Sequence, residues 1–241
     1  MRPTFVHCLF EQSGVFKHAF RQLGIYAVDY DIRDDFDETN IRLDLFKQIS
    51  DAYYKRESIF DNILSEELII AFFPCIYFNE SNEMYFCGTN YYYRGLDKTE
   101  ILERIIERSQ LREEYYRLLL MLFHVCESRH LKLIVENPYN AHHYLRFNFP
   151  YKPAVIDMNR QLRGDYFKKP TQYFFLNLSP GKGCSIQYDK KRRYINNQRS
   201  SDKSGMCSVE RSMISPDYAH NFICDFILDE PSGNNVPTLF D

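Results

Sequence analysis

Tryptophan is absent from the 241 residues, so 20 phenylalanines and 19 tyrosines supply the aromatic mass. Positive charge is not in excess either. Thirty Lys plus Arg stand against 33 Asp plus Glu, a net charge of −3. That excludes a globally basic nucleic-acid binder and leaves room for a local basic patch. The seven cysteines are an odd number without regular pairing, and no Cys-x-x-Cys occurs among them. A zinc ribbon is therefore not expected. No apolar run reaches the length of a membrane span, and no charged segment followed by an apolar one opens the chain. A cytoplasmic protein with reduced thiols and no membrane partner is expected. No internal repeat is present.

What is present is an alternation of strand-like and helical segments. At this length, with 44% hydrophobic residues, one domain with a sizeable core is expected. Phe5 to Phe10 reads as a strand, Glu11-Gln-Ser-Gly14 as a turn, and Val15 to Leu23 as a helix capped by Gly24. Ile25 to Tyr30 is a second strand, closing at Asp31. Strand, glycine turn, helix, strand and acid is the unit that holds a nucleotide-like cofactor in doubly wound folds. Leu45 to Tyr54 is helical, and Leu68 to Phe73 is apolar throughout, as a parallel strand covered on both faces should be. Asn79 to Asp97 has no period and reads as a long loop. Lys98 to Glu127 is a long helix and Leu131 to Val135 a strand. Ala154 to Met158 and Gln172 to Asn177 read as an antiparallel pair, and Ser215-Pro216 starts a helix reaching Leu228. The fold class is α/β with a mostly parallel sheet. Residues 178–210 form a small polar, basic insertion, and residues 230–241 a frayed tail.

Two strand ends carry chemistry. Leu68 to Phe73 delivers Pro74-Cys75, and Leu131 to Val135 delivers Glu136-Asn137-Pro138. A nucleophilic thiolate and a proton-sharing carboxylate are what covalent chemistry on a nucleobase needs. The same residues also suit a buried strand-end thiol and an acid paired with an arginine or capping a helix. A glutamate ending so apolar a run costs desolvation energy unless it has a partner.

The order of these motifs resembles that of the DNA cytosine-5 methyltransferases, and more closely their short phage and bacterial relatives. The resemblance covers most of residues 5–228. It implies a class I S-adenosylmethionine-dependent, Rossmann-like methyltransferase fold with a reduced target-recognition insertion. Cys8 to Phe20 is similar to the family's first motif, which places Phe10, Glu11, Ser13 and Gly14 at S-adenosylmethionine. Asp31 and Ile32 sit where the family binds the ribose, and Asp44 where it has an aspartate near the adenine. Phe73-Pro74-Cys75 matches the nucleophile motif, with Phe73 on the cofactor side, and Glu136-Asn137-Pro138 resembles the Glu-Asn motif. Arg211 to Leu228 resembles the closing motif. The implied roles are Cys75 as nucleophile on C6, Glu136 at N3 and the exocyclic amine, and Pro74 and Asn137 shaping the loop. Read from the residues alone, Asp44 is equally a helix N-cap, Asp31 a loop acid and Phe10 a core residue.

The chain also departs from the family. Of the glycines in the first motif only Gly14 is kept, Ile76 follows the cysteine, and the Gln-x-Arg-x-Arg motif is not clearly kept. Gln161-Leu-Arg163 has part of its spelling, but position along the strand favours Gly164 to Pro170. The large recognition domain is missing.

For the nucleic acid, the expected contacts are Lys190, Lys191, Arg192 and Arg193 with Arg199, and Arg160, Arg163, Lys168 and Lys169 interleaved with Tyr166 and Phe167. Either run also reads as a solvated face. His142-His143 lacks companions for a metal site, so no metal is expected. Asn235 to Asp241 faintly resembles the short Leu-Phe peptides that dock on sliding clamps. The leading expectation is DNA, duplex or single-stranded. The alternatives are RNA, a free pyrimidine nucleotide, or an inactive homologue that binds cofactor or nucleic acid.

Overall fold

The computed structural model describes residues 2–79, 82–187 and 212–232. Lys190 to Arg193, Arg199, Arg211 and the tail from Asn235 lie outside the described residues. The chain runs β1 (Phe5–Leu9), α1 (Val15–Gln22), β2 (Tyr26–Asp31), β3 (Ile41–Arg42), α2 (Leu45–Tyr53) and β4 (Leu68–Ala71). It continues through α3 (Glu83–Phe86), α4 (Lys98–Ser128), β5 (Lys132–Pro138), α5 (Tyr144–Asn148), β6 (Val155–Asp157), β7 (Thr171–Leu176) and α6 (Pro216–Phe222).

One seven-stranded sheet has the order β3-β2-β1-β4-β5-β7-β6. β3, β2, β1, β4 and β5 are parallel; β7 runs antiparallel to both β5 and β6. The fold is thus α/β with a mostly parallel sheet, compatible with a Rossmann-like fold. Because helices cover both faces, β4 is apolar and buried at every position. Ile69 and Ala71 of β4 enter the core beneath α2 and α4, while Leu68 and Ile70 enter the core beneath α1 and α6. Phe16 shows how tight that second core is. It is fully buried, with its ring 4.8 Å from Phe72 and 5.9 Å from Phe222. Its truncation to alanine should cost about 3–5 kcal/mol.

Two expectations need correction. β5 runs to Pro138 rather than stopping at Val135, because β7 pairs with it across Glu136↔Tyr173 and Asn137↔Gln172. The Asn79 to Asp97 segment contains α3 and one turn of 3₁₀ helix at Tyr91–Tyr93, held by Asn90, whose Oδ1 accepts the Tyr92 amide. The last helix reaches Leu228 as expected, α-helical to Phe222 and π-type over Ile223–Leu228. α4 begins on a capping box: Asp97 accepts the Thr99 and Glu100 amides, and Glu100 accepts that of Asp97. Only its C-terminal part, from Leu118 on, is buried. Among the described residues no helix is long and apolar enough to cross a membrane.

Candidate active site

In a doubly wound sheet the ligand crevice lies at the carboxyl ends of the strands, where the strand order reverses. Here that point is between β1 and β4. A cavity of about 360 Å³ opens there. Its walls include Phe10, Glu11 and Ser13 after β1, Phe73, Pro74 and Cys75 after β4, and Glu136 of β5. Lys169, before β7, and residues 212–214, before α6, close it. Thiol and carboxylate therefore share one cavity with the first turn.

The first turn is built by Phe10 and Glu11. Phe10 has a left-handed φ of 60°, which bends the chain out of the sheet while its amide still bonds Tyr30 O at 2.9 Å. Its ring packs on Phe46 and Phe73, at 5.6 and 5.4 Å. Glu11 is buried, and its carboxylate accepts the Phe16 amide at 2.6 Å and the Lys17 amide at 3.2 Å. These are free donors of the first turn of α1, so Glu11 caps the helix that Gly14 starts without a side chain. Burial pushes the Glu11 carboxyl up to about 7, against the pull of those two amides. Gly14 has φ 64°, and a Cβ there would meet Lys17 and Glu38 at 3.0 and 3.1 Å. The glycine thus makes room for Lys17 and Glu38 at the start of α1.

Cys75 is half-buried, and its carbonyl accepts the Phe78 and Asn79 amides at 2.9 and 3.1 Å. The thiol therefore opens a tight turn. Burial, reinforced by the charge of Glu136, pushes it up to about 11, and Lys169 opposes the shift. Glu136 is 8% exposed, and its Oε1 is buried without a hydrogen-bond partner. Such an orphan is costly unless something binds it. Asn137 is fully buried, and its Nδ2 donates to Phe73 O at 3.1 Å and to Glu136 O at 2.6 Å. It ties the Phe73-Pro74-Cys75 segment to β5 and so positions the thiol without facing the cavity.

Other expected residues stand elsewhere. Asp31 ends β2 with its Oδ1 on the Arg33 amide at 2.8 Å, and burial raises its pKa. It does not line the cavity; Arg33, Asp35 and Phe36 beyond it do. Ile32 is 64% exposed and off the cavity wall. Asp44 is the N-cap of α2, accepting the Lys47 amide at 3.1 Å, and it too is off the wall.

The largest correction concerns the expected nucleic-acid contacts. Arg160 is fully buried, 2.5 Å from Asp165 Oδ2 and 4.4 Å over the Tyr218 ring. Arg163 lies 3.3 Å from Asp157 and 2.9 Å from Asp225. Both guanidiniums are committed to interior carboxylates and are not placed to meet phosphate. Phe167 is buried as well, which leaves it no stack to fill. Lys168 is exposed, and Lys169 lines the cavity rather than an outer path. The sequence offered no signal for that placement, because the direction of Lys169 is set by the antiparallel pairing of β7. Likewise unforeseen is the buried Lys17, whose Nζ lies 2.9 Å from Asp29 and donates to Glu38 O at 2.5 Å, fixing the 32–40 turn beside the site.

Among the described residues no group of three or more His, Cys, Asp or Glu is placed to hold a metal ion. His143 is buried, and that burial lowers its pKa to about 4. No protein-family model matches the chain, and no curated protein matches it.

Proposed function

We propose that the protein methylates C5 of cytosine in nucleic acid through a covalent Cys75–C6 adduct, with S-adenosylmethionine as donor, on a class I methyltransferase fold. One observation carries this reading. The thiol of Cys75 and the carboxylate of Glu136, with its buried Oε1 unpartnered, line the same cavity as the Phe10-to-Ser13 turn.

The chemistry of the first turn fits that donor better than a dinucleotide. A pyrophosphate would need the free amides at the start of α1. Here Glu11 already holds the Phe16 and Lys17 amides. A carboxylate in that position favours a cationic small molecule. Asp35, paired with Arg33, adds to the rim. Glu11 and the Phe10 ring would hold the donor, which when bound supplies an electrophilic methyl group.

Cytosine C5 is a poor nucleophile until C6 is attacked. Cys75 loses its proton to solvent and its Sγ forms the bond to C6, Glu136 shares a proton at N3, and the electron pair of the C5–C6 double bond moves to C5. C5 would take the donor's methyl, releasing the demethylated thioether; solvent takes the C5 proton, and departure of the Cys75 thiolate from C6 restores the ring. Lys169 stabilises negative charge on sulfur, and Asn137 holds the Pro74-Cys75 segment in place.

The raised pKa of the Cys75 thiol favours a second reading, a homologue that binds without turnover. Methyl transfer from labelled S-adenosylmethionine to DNA, RNA and cytidine nucleotides separates the two. Label in a polymer, lost in Cys75→Ser, is expected. Label in none, with the donor still bound, supports the second reading.

A further inference from the structure

A second cavity, of about 240 Å³, lies on the far side of the turn that carries Cys75. Its walls include Tyr77, Glu83, Phe86, Arg112, Tyr144 and Phe147. The turn between the two cavities is the one whose Phe78 and Asn79 amides bond the Cys75 carbonyl. Away from this turn most described arginines pair with a carboxylate, though not all: Arg21 lies over Tyr26 without one. Arg42, Arg56, Arg129, Arg160 and Arg163 each pair with an aspartate. Arg94, Arg108, Arg112 and Arg146 instead lie over rings, and among the described residues none of the four has a carboxylate within ion-pair distance.

The guanidinium of Arg108 is 4.0 Å over Tyr85, and that of Arg112 is 3.9 Å over Phe86 and 4.7 Å from Tyr144. Arg94 stands 4.5 Å over Tyr91, and Arg146 stands 5.7 Å over Phe147. A ladder of this kind would by itself tie the 82–96 segment and α5 to α4. The outermost rungs do not serve that purpose: Tyr91 and Phe147 each sit beside an arginine of their own segment, not one of α4. Tyr91 is 58% exposed, Tyr92 63% and Phe147 72%, so none is needed to fill a core. Exposed rings beside unneutralised guanidiniums are the two halves of a single-strand binding surface: rings stack on bases, and cations meet phosphates.

We propose that this face binds a single strand of nucleic acid, with a base flanking the target seated in the second cavity. The inference rests on the proposed function, since it supplies the substrate form for the same site. Unpaired bases are what the face selects, because a base inside a duplex presents no ring face to Tyr91 or Phe147. The cavity has room for about one ring system. Glu83 in its wall is an acceptor for an exocyclic amine, and Arg112 lies where the strand's phosphate would enter.

Fluorescence anisotropy on the full chain tests this, using labelled twelve-nucleotide single-stranded DNA, RNA of the same sequence, and the duplex. Single strands are expected to bind more tightly than the duplex. The DNA and RNA arms identify which strand is the natural one. Tyr91→Ala with Phe147→Ala, both at exposed rings, should weaken single-strand binding roughly five-fold or more per ring while circular dichroism stays unchanged. Equal or tighter duplex binding, or a double variant with wild-type affinity, overturns the proposal. Cys75→Ser separates the two claims, because it removes chemistry and is expected to retain strand binding. Single-strand binding with no methyl transfer by the wild type leaves this surface standing and removes only the catalytic reading. Transfer on duplex alone does the reverse.

Discussion

Cys75 is a thiol in the resting protein. With a pKa of about 11, set by burial and then by Glu136, roughly one molecule in a thousand carries the thiolate at pH 8. Reactivity then depends on the charges around sulfur, and these can be changed one at a time. Alkylation of Cys75 by iodoacetamide, followed on its own peptide by mass spectrometry, should rise steadily with pH to about 10. At pH 8, Glu136→Gln should speed it and Lys169→Ala should slow it, each by roughly tenfold for one pKa unit. If Glu136→Gln slows labelling, the carboxylate does not face the thiol and the site is wrongly assembled. The two strand-end residues were legible in the sequence because apolar strands put their last side chains at the sheet's rim. Lys169 was not, because it sits in a turn whose direction comes from a strand pairing. Arg160 was misread for a similar reason: Asp165 folds back onto it, so a charge that looks solvated in the sequence is interior.

Among the elements, α1 was legible from its apolar spacing and its cap was not. Gly14 offers no side chain, and the capping carboxylate comes from Glu11, upstream of the helix. The consequence is a pH dependence with a definite sign. The Glu11 carboxyl moves from its ordinary 4.5 to about 7 in the folded protein. The native state therefore keeps this proton longer than the unfolded chain. Its contribution to stability is greatest below about pH 4.5, declines as pH rises, and levels off above about 7. The scale is on the order of 3 kcal/mol. Cys8, Asp29 and Lys17 face the same carboxyl. His7 and His143, whose pKa values burial lowers, act in the opposite direction on their own titration. The useful quantity is thus the difference between variant and wild type. Urea midpoints at pH 5 and pH 8 should fall for the wild type relative to Glu11→Gln; equal falls would show that Glu11 is ionised throughout. The 79–97 segment gave no period because α3 spans only four residues, too few for a helical repeat to register.

For the whole molecule, the alternation of strands and helices made the α/β class legible, and with it the expectation that strand ends would converge. Strand order was not legible. β7 enters the sheet between β5 and β6, and this insertion lengthens β5 past Glu136 and turns that residue from a strand-end acid into one within the strand, over the cavity. The same insertion brings Lys169 to the thiol. The account's central claim is that the cavity between β1 and β4 performs covalent methyl transfer through Cys75. The most direct measurement uses the full chain, S-adenosylmethionine and a single-stranded oligonucleotide carrying 5-fluorocytosine, read by denaturing electrophoresis and peptide mass spectrometry. With fluorine at C5 the proton that normally leaves is absent, so the adduct should persist. The expected result is a covalent complex attached at Cys75, dependent on S-adenosylmethionine and lost in Cys75→Ser. No complex, or one that survives that substitution, would contradict the claim.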